Sequence, residues 1–510
     1  MSHSATLNAP PEVTGRTLVI VALALGTFMQ VLDTTIANVS IPTIAGNLGV
    51  SHSQGTWVIT SFAVANGISV PLTGWLMRRY GVVKVFVSSV VLFTLASLLC
   101  GLAWSLPSLI FFRVLQGAVS GPMIPGSQAL LMSLFPANKK GTALGIWSMM
   151  TLVAPVCGPI MGGYISDNYS WPWIFLINVP VGIFCAIICW RGLRHLPAPT
   201  QKLPIDGIGL GLLIIWVGCL QVMLDVGKEH DWFQSPAVVT LGIVALVGSI
   251  VFVVWEMGEK HPIIDLSLFK LRNFTIGTIV LCVGYGLFFG SVVVQPLWMQ
   301  TYLGYNATWA GVVAAPSGLV ALVVAPIVGK LLDRVDARWL ATLAFLVFAV
   351  SGFMRSNYTD DGSLFSYILP LMVNGIAMAS FFTSLMTIAL HGVPEEKIPS
   401  ASGLMNFLRI TFGALATSLV TTYWERDATR HQTQMVEVID PQTLQNTLGS
   451  LQDAGLSAQQ SMGLLVQQLM SQAYLKSVVD FFAITAWVSL AIVGLVWFTR
   501  RAKHAQSAPE

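Results

Sequence analysis

Met29-Gln30-Val31-Leu32-Asp33-Thr34-Thr35-Ile36-Ala37-Asn38 lies in the outer half of the first long apolar run of this 510-residue chain. An ionised aspartate inside hydrocarbon costs about 2.5–3.5 kcal/mol, so Asp33 is expected to face a protein interior and to carry a function. Its expected partner is Arg113 in the fourth apolar run, the next basic side chain well inside a predicted span. Burial favours the protonated carboxyl, whereas a nearby guanidinium favours the carboxylate. The distance between the two would therefore decide whether Asp33 holds or releases a proton. The alternatives are an Asp33 that caps a helical break before Thr35 and an Arg113 that snorkels to the membrane surface.

The composition decides the solvent. Hydrophobic residues make up 55% of the chain and charged residues 10%, with a mean hydropathy of +0.73. Soluble domains carry about 25% charged residues, so this is an all-α integral membrane protein. Nucleic acid is not implied as a partner. The six cysteines all lie in apolar runs, where they read as packed free thiols. Fourteen runs are long enough to cross a hydrocarbon layer of about 30 Å: 17–41, 57–77, 85–104, 108–133, 142–166, 173–193, 206–225, 237–256, 274–298, 309–332, 339–355, 365–391, 401–422 and 477–499.

An even number of spans places both termini on one side. Of 26 Lys and Arg, 19 fall on that side, five fall opposite (Lys228, Arg355, Arg426, Arg430, Lys476), and Arg113 and Arg409 lie inside spans. The positive-inside rule makes the termini cytoplasmic. Tails at 1–16 and 501–510 flank a first six-helix bundle (17–205), two additional helices central in the sequence (206–260) and a second six-helix bundle (261–500). Gly74-Trp75-Leu76-Met77-Arg78-Arg79 and Gly329-Lys330-Leu331-Leu332-Asp333-Arg334 repeat a G-x-L-x-x-R pattern after the second helix of each half. Internal repeats of this kind mark secondary transporters, whose site lies between the halves. The alternative is that short cytoplasmic hairpins are simply rich in Gly and Arg.

Four stretches resemble one family. They are Leu32-Asp33-Thr34-Thr35-Ile36-Ala37-Asn38-Val39-Ser40-Ile41-Pro42, Arg113-Val114-Leu115-Gln116-Gly117, Ala154-Pro155-Val156-Cys157-Gly158-Pro159-Ile160-Met161-Gly162-Gly163 and Trp171-Pro172-Trp173-Ile174-Phe175-Leu176-Ile177-Asn178-Val179-Pro180. Together they are similar to the fourteen-helix drug:proton antiporter branch of the major facilitator superfamily. That resemblance implies a major facilitator fold and proton-coupled multidrug efflux, with the proton gradient as the driving force and no cofactor. It implies a substrate cavity lined by helices one, four, nine and twelve, which nominates Met29, Gln30, Asn38, Gln116, Tyr285, Phe288, Phe289, Gln295, Asn374, Phe381 and Phe382. Arg409 joins them as an intramembrane cation able to attract anionic substrates or to bind backbone carbonyls.

Small residues recur every four positions at Ala154, Gly158 and Gly162, beside Gly163. They suit close helix contact, while Pro155 and Pro159 bend the helix and could seal a gate; tight packing without gating is the alternative. In the corner after helix two, Arg78 stands where the family carries an acidic residue. A conformational latch is therefore expected from Asp333 and Arg334 in the second half. Residues 423–476 read as a long outer loop with an amphipathic helix between Leu444 and Leu475. The resemblance implies that such an element meets a periplasmic membrane-fusion adaptor leading to an outer-membrane channel; a solvated flap over the cavity is the alternative.

The chain has no G-x-x-x-x-G-K-[ST] phosphate loop and no sequence cluster of His and Cys for a metal. An enzyme is not expected. The leading reading is a proton-driven exporter of hydrophobic or weakly acidic drugs. The others are a proton-coupled or facilitated transporter of a single metabolite and a non-transport membrane scaffold or receptor.

Overall fold

A computed structural model of the chain describes residues 15–136, 139–196, 200, 204–227, 231–305 and 307–501. Among the described residues the regular structure is entirely helical. The first six spans are α1 (Arg16–Leu48), α2 (His52–Tyr80), α3 (Val82–Gly101), the pair α4 (Leu106–Ser120) and α5 (Met123–Ser133), α6 (Lys140–Asn168), and the pair α7 (Trp173–Leu176) and α8 (Asn178–Leu193). Next come α9 (Gly207–Val226) and α10 (Pro236–Gly258). The last six spans are α11 (Arg272–Tyr302), α12 (Ala307–Leu332), α13 (Ala337–Arg355), α14 (Leu364–Leu390), α15 (Ile398–Val438) and, after the exposed α16 (Pro441–Asp453), α17 (Ala458–Val496). Twelve single spans pass on length and apolarity, and the bent α6 makes a thirteenth. The α4–α5 pair supplies the remaining one.

Local chemistry sets the helix ends. Ser51 with Gln54 and Ser105 with Ser108 form capping boxes at the starts of α2 and α4, and Gly49 closes α1 in the left-handed region. The fourth span was expected to be continuous, but it breaks at Gly121-Pro122. Pro122 cannot donate to the carbonyl of Ala118, and the Ser69 hydroxyl on α2 donates to that freed oxygen instead, at 2.5 Å.

The two halves meet along α6 against α12 and α2 against α15. The additional pair is central in sequence only. It packs on α2 and α15 at the rim, and just 17% of the apolar window of α10 is buried, which leaves most of it for lipid.

Two further sequence readings require correction. The segment 423–476 is not a loop: α15 continues to Val438, α16 follows, and α17 begins at Ala458. At 1.5 Å per residue the 41 residues of α15 extend about 60 Å, twice the hydrocarbon thickness of about 30 Å. The amphipathic stretch from Leu444 to Leu475 is correspondingly two helices, separated by a turn at Gly455 whose φ is 95°. Arg355, counted above among the loop cations, ends α13 and is only 3% exposed, because Phe482 of α17 covers its guanidinium at 4.3 Å.

Candidate functional site

Asp33 lies in the middle of the continuous α1, which excludes a capping role, and both its side chain and that of Arg113 are completely buried. Arg113 Nη1 donates to Asp33 Oδ2 at 2.6 Å and to Gln116 Oε1 at 2.7 Å, while its Nε donates to the carbonyl of Val58 at 3.0 Å. Asp33 Oδ1 accepts from Gln116 Nε2 at 3.0 Å and from Asn178 Nδ2 at 2.9 Å. The guanidinium also lies 4.2 Å from the Phe62 ring centre and 5.4 Å from that of Phe175. Ser97 holds Asn178 in place, accepting from its amide at 3.0 Å and donating to the carbonyl of Phe175 at 2.9 Å. One buried carboxylate thus takes three donors, and one of them is its counter-ion.

Side-chain size explains why the helices converge there. A Cβ on Gly117 would come within 2.5 Å of the Phe62 carbonyl, so glycine lets α4 approach α2 and bring Val58 and Phe62 onto the guanidinium. A Cβ on Gly158 or Gly162 would strike Thr35 Oγ1 or the Ile36 carbonyl, so these glycines seat α6 directly behind the Asp33 turn. Between Pro155 and Ile160 the two parts of α6 bend by 42°. Gly163 is half-buried on the same helix, and the side chains of Pro159 and Asn38 lie outside the described residues.

The other nominated residues fall into separate groups. Arg409 is buried, with Tyr285 and Phe382 rings at 4.9 and 5.4 Å, and Phe289 stacks on Tyr285 at 5.3 Å. Among the described residues Arg409 Nε and Nη1 have no hydrogen-bond partner and no carboxylate pairs with the guanidinium, so its neighbours in this basin are aromatic rings. Phe381 packs instead on Phe345 and Phe348 within the second half. Phe288 and Asn374 line a cavity of about 10 Å³ beside Arg355, room for roughly one water molecule. Gln295 donates to the Tyr358 hydroxyl at 3.3 Å. Met29 and Gln30 are buried on α1.

On the face that carries the chain ends, Asp333 bridges the halves. Its carboxylate accepts from the Gly141 backbone at 3.0 Å and the Thr142 hydroxyl at 2.5 Å, in the first turn of α6, while Arg334 is exposed. A carboxylate there also complements the positive end of that helix. Lys140 pairs with Glu395 at 2.9 Å, and Lys397 with Asp265 at 2.8 Å. Burial pushes the Asp265 carboxyl up, but hydrogen bonds from Lys397 and Ser267 outweigh it and hold the group below its ordinary value.

The sequence reading omitted Asn178, Phe62 and Phe175 from the site. Asn178 stands inside one of the family-like stretches, and a polar amide at the head of an apolar helix was the available signal. Phe175 stands in the same stretch, and nothing local marks Phe62.

A buried ion pair inside one half of a two-bundle, all-helical, multi-pass protein defines a membrane transporter. Residues 23–417 match the Major Facilitator Superfamily, and the chain belongs to that family. It is 47% identical over 494 residues to the multidrug export protein EmrB of Escherichia coli, covering 96% of each chain. It is 44% identical over 499 residues to the fatty acid resistance protein FarB of Neisseria gonorrhoeae, covering 97% of this chain and 98% of FarB. Among solved structures, the human organic anion transporter TETRAN superposes with a TM-score of 0.57 at 13% identity, over 95% of this chain and all of that one, a likeness of fold.

Proposed function

We propose that the chain is a proton-driven multidrug efflux transporter that moves hydrophobic and weakly acidic toxic compounds outward by alternating access. The observation that carries the proton step is the fully buried Asp33 carboxylate with Arg113, Gln116 and Asn178 as its donors. A proton arriving from the outer side neutralises Asp33 and removes its attraction for Arg113. The guanidinium keeps the Val58 carbonyl and the Phe62 face, so α1 and α4 can separate without stranding a bare cation. Loss of that proton on the opposite side restores the pair. Drug and proton exchange because each favours a different packing of the bundles.

The aromatic basin around Arg409 supports the substrate class, since rings accept apolar bodies and an unpaired guanidinium attracts an acidic group. The names of the relatives, multidrug export and fatty acid resistance, agree with it. The excess of basic residues on the termini side favours cytoplasmic ends in a bacterial inner membrane. The extension built from α15, α16 and α17 exposes Val436, Val438, Ile439, Met462, Leu464 and Val466. Such a surface suits a periplasmic adaptor that continues to an outer-membrane channel.

The test is drug-dependent proton movement in inverted vesicles. Asp33→Asn keeps an oxygen to accept Arg113 yet cannot carry a proton, so it should reach the membrane at wild-type levels and lose the coupled signal. Persistence of drug-driven proton flux in that variant would remove Asp33 from the mechanism.

A further inference from the structure

Near the outer ends of the last two spans, Asp427 and His431, one turn apart on α15, face Asp480 on α17. His431 Nε2 lies 2.8 Å from Asp480 Oδ2 and 3.4 Å from Asp427 Oδ2, and all three atoms fall within 4.8 Å of one another. Asp427 Oδ2 is buried and accepts no hydrogen bond, although its side chain is only 11% exposed. Beside the cluster, Trp424 donates to the Tyr474 carbonyl at 3.3 Å and Ser477 to the Trp424 carbonyl at 2.8 Å, so the two helices are tied together there.

We propose that Asp427, His431 and Asp480 form a zinc site that staples α15 to α17 at the base of the outer extension. Zinc takes imidazole nitrogen at about 2.0–2.1 Å and carboxylate oxygen at about 2.0–2.2 Å. A tetrahedral arrangement at those lengths sets the donors about 3.3 Å apart. The separations of 2.8 and 3.4 Å from His431 lie on either side of that spacing, and the carboxylate-to-carboxylate separation is no more than 4.8 Å. Two carboxylates balance its charge. The imidazole selects against calcium and magnesium, which take oxygen donors. The fourth position is open to solvent on the side of Asp480, which is 49% exposed.

The experiment uses the full chain in detergent, stripped with a chelator, with zinc titrated by calorimetry and the thermal midpoint followed in parallel. One zinc per chain and a raised midpoint are expected. His431→Gln and the half-exposed Asp480→Asn should each weaken binding by more than the roughly 10–100-fold typical of losing an outer-shell partner. Asp33→Asn should bind zinc as the wild type does, which separates this result from the transport reading. The proposal is overturned if zinc neither binds nor stabilises the wild type, the result expected if His431 only hydrogen-bonds the two carboxylates. It is equally overturned if both variants bind as tightly as the wild type, or if calcium and magnesium stabilise as well as zinc.

Discussion

Arg113 contributes shape as well as charge. Its planar fork reaches Asp33, Gln116 and the Val58 carbonyl at once, and its face meets Phe62. Removing it leaves a carboxylate inside the bundle without a counter-ion, which typically costs about 3–5 kcal/mol. Arg113→Ala is therefore expected to lower the unfolding midpoint in detergent substantially. The double variant Asp33→Asn with Arg113→Gln should recover much of that loss, because it replaces a broken ion pair with neutral amides. An Arg113→Ala protein as stable as the wild type would show that the pair contributes little to the fold. The need for a partner to Asp33 was legible in the sequence, since an intramembrane charge is costly wherever it sits. Asn178 as a further donor was not, because a contact across 145 residues depends on which face α8 turns inward.

At the scale of the element, α6 shows how small residues place chemistry they do not perform. A Cβ on Gly162 would lie 2.7 Å from the Ile36 carbonyl, a backbone atom that cannot swing aside. Gly162→Ala should cost about 1–3 kcal/mol by forcing α6 away from α1. Gly211→Ala on α9, where a Cβ meets nothing within 4 Å, should be neutral or gain up to about 1 kcal/mol of helix propensity. Thermal midpoints of the two variants in one detergent check the contrast, and equal effects would refute the packing role. The length of α15 also had a sequence signal: from Ala414 to Asp440 there is no Gly or Pro, and the helix ends just before Pro441. Hydropathy fades after residue 422, but helices do not stop where lipid stops. Arg355 misled for a related reason: a cation at a helix end usually reaches for water, and only the packing of α17 over α13 prevents it here.

Across the whole molecule, the contacts on the termini face tie the halves through loops and helix starts: Asp333 to α6, Lys140 to Glu395, and Asp265 to Lys397. The first two join opposite bundles, and the third ties the segment after α10 to the entry of α15. Since the folded Asp265 lies below its ordinary value, its stabilising effect is present above the unfolded aspartate range and is lost as pH falls through the lowered folded value. The thermal midpoint of the wild type should exceed that of Asp265→Asn at neutral pH, and the gap should close as the solution is taken below about pH 4. A gap that does not change with pH would mean that the Lys397 pairing makes no difference to stability. Asp333 was expected as the second-half latch residue. Its seat against the first turn of α6 is what the tertiary structure adds, and it places the contact between the halves rather than within one.

By itself the sequence determined the solvent, the helical class, the fourteen apolar runs and the need to pair a buried aspartate. Each of these follows from the transfer cost of single residues summed along a local stretch. Tertiary structure alone decided which donors surround Asp33, where the aromatics gather around Arg409, that the α9–α10 pair lies on the rim, and that Asp427, His431 and Asp480 meet. Those outcomes depend on helix rotation and approach distance, which a change of one methyl group at a glycine can alter and which no periodicity along the chain encodes.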